Sequence, residues 1–118
     1  MLTSVSATTV VERFLASMAA HDWEAMGDCV TDDVHRVGPY GDVYDGKAEY
    51  VEFISKLLPT LPGYVMQVDR VTYAGDGRLA FAELSETVDG VRTPEALVFG
   101  LDGGRIKEIA IYISKDGA

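Results

Sequence analysis

Apolar residues recur at helical spacing from residue 6 to about residue 20, where Val10, Val11, Phe14, Leu15 and Met18 fall on one side and Ser4 or Ser6 caps the start. HDWEAMGDCV opens on Asp22, a good N-cap, and gathers Trp23, Met26 and Val30 on one side of a short second helix. TDDVHRVG breaks the helical period and predicts a short strand. RVGPYGDVYDG, residues 36–46, holds three glycines and a proline and reads as a connector. Asp45 or Gly46 then starts a third helix carrying Tyr50, Val51, Phe53, Ile54, Leu57 and Leu58, which stops before Pro59. TLPG is a further connector. From Gly63 the pattern is that of strands, over about 64–73, 79–88, 91–101 and 105–114, with turns at AGDG, at Asp89-Gly90 and at DGG. Helices followed by a meander predict one α+β domain over residues 1–118, its three helices packed on one face of a curved antiparallel sheet.

The turns also fix a register. If Asp89 and Gly90 form a two-residue hairpin turn, Val88 pairs with Val91, Ser85 with Pro94, Leu84 with Glu95 and Glu83 with Ala96. One face then holds Phe81, Glu83, Ser85, Ala96 and Val98. The other holds Ala80, Ala82, Leu84, Glu86, Glu95, Leu97 and Phe99. On the first strand Val34, Arg36 and Gly38 share a face.

Composition narrows the chemistry. The formal charge of −9 argues against a nucleic-acid backbone as partner, which needs clustered Lys and Arg. Cys29 is the single cysteine, so no intrachain disulfide forms and a reducing compartment fits. No His, Cys and carboxylate spacing suggests a metal, and no glycine-rich phosphate motif suggests a nucleotide cofactor. MLTSVSATTVVERF lacks a basic start followed by an apolar run, and no stretch approaches roughly 18 apolar residues. These features predict a cytoplasmic protein with no membrane contact and no cofactor.

The succession VVERFLASM, HDWEAM, TDDV, YDGKAEYVEF and DGGRIKEIAIYIS covers nearly the whole chain. In content and order it resembles the nuclear transport factor 2-like superfamily, in its SnoaL-like and ketosteroid isomerase-like branch. The resemblance implies a cone-shaped, cystatin-like fold whose helices and curved sheet enclose a pocket, often paired as a homodimer through the outer sheet face. It also marks departures. Gly38 stands where the isomerases place a basic aspartate before a proline, Phe14 where they use a tyrosine, and Ala96 or Leu97 where they use an acid. Limonene-epoxide hydrolases carry an Arg and an Asp where Leu84 and Glu86 stand here, and a second acid at the place of Ile111. The resemblance therefore argues against both of those reactions.

Matching the strand start AFA to the isomerases turns the Glu83 face inward, whereas anchoring on the hairpin turn would turn the Glu86 and Glu95 face inward. We adopt the first, with the second face left to a partner subunit. Arg36 lies on the family's inward face and, once buried, requires a carboxylate or an anionic ligand. The expectation is a catalytic pair, Glu83 and Arg36, in a pocket lined by Phe14, Met18, Tyr40, Phe53, Leu57, Ser85, Ala96, Val98, Ile109, Ile111 and Ile113. Such a pocket takes a small hydrophobic ligand, as a cofactor-free isomerase or cyclase or, alternatively, as a non-catalytic binding or dimerisation module. His35 and Tyr112 are expected to face outward, and Trp23 and Cys29 to pack in the core.

Overall fold

The computed structural model describes residues 10–114, so Ser4, Ser6 and the first helical turn expected from residue 6 lie outside the described residues. Helix α1, Val10–Ala19, buries the whole apolar stripe read from the sequence, Val10, Val11, Phe14, Leu15 and Met18. Asp22 caps α2, Trp23–Asp28, its side chain accepting a hydrogen bond from the Ala25 amide at 3.2 Å. Val30 does not extend that helix; it starts strand β1, Val30–Val37, and is buried there. Within the expected connector a short strand, β2 (Val43–Asp45), folds back antiparallel on β1. Gly46, at φ +94°, then turns the chain into α3, Lys47–Leu57, and a 3-10 turn over Leu58–Thr60 absorbs Pro59.

The remaining strands are β3 (Val65–Ala74), β4 (Leu79–Val88), β5 (Val91–Asp102) and β6 (Arg105–Ile113). They form one six-stranded sheet in the order β2-β1-β6-β5-β4-β3. Neighbours are antiparallel except β1 and β6, which run parallel, so the sheet is mixed. The β4–β5 register is the one the Asp89-Gly90 turn predicts, with Val88 opposite Val91 and Glu83 opposite Ala96.

The helices decide which face is inside. Phe14 of α1 meets Phe99 edge to face at 6.0 Å and stacks near Tyr50 of α3 at 6.4 Å. Beneath them lie Ala80, Ala82, Leu84 and Leu97, all buried. A row across the opposite face joins Thr72, Phe81, Val98, Ala110 and Val37 on successive strands, and Phe81 is 40% exposed there.

Candidate functional site

Between the helices and the inner sheet face lies a cavity in two parts. The inner chamber, of about 110 Å³, is walled by Phe14, Leu15, Met18, Ile54, Leu58, Leu97 and Ile109, with Tyr50 and Met66. The outer chamber, of about 440 Å³, opens past Pro39, Tyr40, Phe53, Val88, Val91 and Ile113. Arg36, Leu57, Leu61, Glu86, Glu95 and Ile111 line both, and so form the waist where the two meet.

Three ionisable side chains, Arg36, Glu86 and Glu95, stand at that waist. Arg36 is only 7% exposed and donates from Nη1 to Asp42 Oδ2 at 2.6 Å. Its guanidinium lies 5.2 Å from the Phe53 ring centre and 5.7 Å from that of Tyr44, and these two rings stack at 4.0 Å. The contact with Asp42 is single rather than forked, and Arg36 Nε and Asp42 Oδ1 are buried without a protein partner. Burial pushes the Asp42 carboxyl up, but the Arg36 hydrogen bond, backbone donors and the Arg36 charge outweigh it, and the group lies below its ordinary range.

Glu86 and Glu95 are diagonal neighbours on the inner face, because Glu95 sits opposite Leu84, two residues before Glu86. Burial, reinforced by the hydrogen bond to Glu86 and by its negative charge, pushes the Glu95 carboxyl up to about 9 against the pull of Arg36. The Glu95 carboxyl therefore keeps its proton near neutral pH, beside the Glu86 side chain. The Tyr64 hydroxyl also donates to Glu86 Oε2, and burial together with the adjoining Glu86 charge keeps that phenol neutral. Tyr50, fully buried beside them, is likewise held neutral by burial. Among the described residues, no three His, Cys, Asp or Glu side chains converge as metal ligands would.

Of the residues expected at the site, Arg36, Phe14, Met18, Leu57, Ile109 and Ile111 meet around the inner chamber and waist, and Phe53, Tyr40 and Ile113 around the outer chamber. Glu83 does not join them. It lies on the outer face, 54% exposed in its side chain, and binds Arg70 with Nη2–Oε1 at 2.5 Å. Ser85, Ala96 and Val98 share that face by register, so they do not line the pocket. The inward face is the alternative one: Phe14 of α1 packs on Phe99 there, and Ala80, Ala82 and Leu84 are buried on it. His35 does face outward, its Nδ1 2.5 Å from Asp45 Oδ1, and Tyr112 is 60% exposed. Trp23 is half-buried, stacked on His21, and Cys29 is buried.

Sequence reasoning missed Asp42 and Tyr64. The demand of a buried Arg36 for a carboxylate was the available signal for Asp42, six residues on. For Tyr64 no signal existed. A bulge at Asp69 shifts the β3–β4 pairing between Val68 and Arg70, and this exchange of faces is what turns Tyr64 toward Glu86.

Comparison with known proteins agrees with this architecture. An NTF-2 like protein of unknown function from Burkholderia xenovorans LB400 superposes with a TM-score of 0.81 at 19% identity, over 97% of this chain and 87% of its own. A protein with a ketosteroid isomerase-like fold from Catenulispora acidiphila DSM 44928, solved in complex with trimethylamine, gives 0.76 at 16% identity, over 92% and 87%. An LEH-like epoxide hydrolase of M. tuberculosis gives 0.75 at 19% identity, over 93% and 84%. At these identities the likeness is one of fold. No curated protein matches the chain in sequence. The profile of the SnoaL-like domain, however, matches residues 11–109, most of the chain. With its helices, mixed curved sheet and enclosed pocket, this chain belongs to the SnoaL-like domain family.

Proposed function

We propose that the chain binds a small hydrophobic carbonyl compound in the cone and moves a proton on it without a cofactor, in the manner of an isomerase or cyclase. The observation that carries this reading is the meeting of Glu86 and Glu95 at the waist of a cavity walled largely by apolar side chains. This pair takes the place first given to Glu83. Glu86, oriented by the Tyr64 hydroxyl, is the base that removes a proton from the carbon beside the carbonyl. Glu95 keeps its proton and donates to the oxygen on which negative charge develops, and the Arg36 charge favours that charge. Carboxylate, carboxylic acid and phenol are the three groups the isomerases use, drawn here from other positions.

Arg36, paired with Asp42 through one contact, adds a positive charge beside this centre. The apolar row through the exposed Phe81 and the half-buried Val98 supports pairing of two copies through the outer sheet face. A lone, buried Cys29 fits residence in the cytoplasm. The test is hydrogen–deuterium exchange at the α-carbon of simple ketones in heavy water. Wild-type protein is expected to exceed Glu86→Gln by about 10²-fold or more. Equal rates in the two proteins, or none above solvent, would sink the reading in favour of a binding module without turnover.

A further inference from the structure

The two chambers differ in size, and Arg36, Glu86 and Glu95 stand where they meet. Beyond the waist, the inner chamber of about 110 Å³ is walled mainly by apolar side chains, among them Phe14, Met18, Ile54, Leu97 and Ile109. An apolar cavity of about 150 Å³ holds one benzene ring. The inner chamber is therefore too small for an aromatic or fused ring and matches an aliphatic group of about four or five carbons. A polar end there would lose its hydrogen bonds to water and, beyond the waist, meet mainly apolar walls in return. The outer chamber of about 440 Å³ is four times roomier, is open, and has polar as well as apolar walls in Asp42, Thr93 and Tyr40.

We infer that the site selects ketones with a short aliphatic tail on one side of the carbonyl and a larger, ring-sized group on the other. The tail enters the inner chamber, the carbonyl stops at Glu86 and Glu95, and the ring stays in the outer chamber. This inference rests on the proposed reading of Glu86 and Glu95 for its chemistry, but the tail-length limit comes from the walls alone. Met18 and Ile109 set that limit, since both border the inner chamber and neither is charged.

The probes are alkyl phenyl ketones with unbranched tails of about two to eight carbons; the phenyl ring exceeds the inner chamber and fixes the orientation. Affinity, read by calorimetry, is expected to rise about fourfold per added carbon. The rise should stop at about four or five carbons and reverse beyond them. Met18→Ala should move the break to longer tails by about two carbons, and the milder Ile109→Val by about one. Affinity that keeps rising through the longest tail, or a break that neither variant moves, overturns the inference. Deuterium exchange on the same ketones separates the two readings. A break without exchange leaves the chamber assignment standing and removes the catalytic one, while exchange without a break does the reverse.

Discussion

Glu95 couples the site to the stability of the fold. Its carboxyl sits at about 9 in the folded protein against an ordinary 4.5, so between those values the folded state holds a proton that the unfolded chain releases. Its contribution to stability is complete below about pH 4.5 and is lost as pH rises toward 9. Glu95→Gln removes that dependence. In urea titrations the variant should match wild type within about 0.5 kcal/mol at pH 5 and exceed it by about 1–2 kcal/mol at pH 8.5, after allowance for solvent screening. Gly38 illustrates a different constraint. A Cβ there would sit against Asp42 Oδ1, 2.6 Å from Asp42 Oδ2 and 2.7 Å from Arg36 Nη1. The residue is glycine because the Arg36–Asp42 pair passes over it, and that pair fills space which a longer side chain would occupy. Gly38→Ala must pry the pair apart and leave Arg36 buried, so we expect a loss of about 1–3 kcal/mol in the same titrations, with little further loss when combined with Asp42→Asn.

At the scale of elements, the strands were the most legible part of the chain. The Asp89-Gly90 turn set the β4–β5 register residue by residue, because positive φ at both positions is what a tight hairpin requires, and both adopt it, at 52° and 81°. A Cβ at residue 90 would meet nothing within 4 Å, so the cost of Gly90→Ala is conformational alone. It should be about 1 kcal/mol, seen as a lower thermal midpoint. The choice of face was not legible. Phe81 and Val98 on one side, and Leu84, Leu97 and Phe99 on the other, give the hairpin two apolar faces, and the second is the one interrupted by Glu86 and Glu95. Alternation alone cannot rank them; in the fold the helices cover the second, where Phe14 meets Phe99. The three-residue β2 is too short to show a period, and the Asp69 bulge that aims Tyr64 inward leaves no mark in the pattern.

For the molecule as a whole, the same hairpin gives the two sheet faces different duties. The inner face builds the pocket, and the outer face is free to meet a second copy across Phe81, Val98, Ala110 and Val37. Phe81→Lys, which leaves the pocket untouched, should convert a dimer to a monomer in light scattering at micromolar concentration. A wild-type protein already monomeric there would dismiss the pairing. A final consequence concerns the order in which the molecule is made. Arg36 and Ile109 are neighbours in the parallel β1–β6 pair, yet roughly 70 residues of chain separate them. During synthesis the arginine leaves the ribosome long before the strand that shelters it, and the glutamates follow on β4 and β5. Without β6, β1 lacks its parallel neighbour and the waist lacks Ile111. The waist is thus complete only once β6 lies between β1 and β5, although Glu86 and Glu95 already meet within the β4–β5 hairpin.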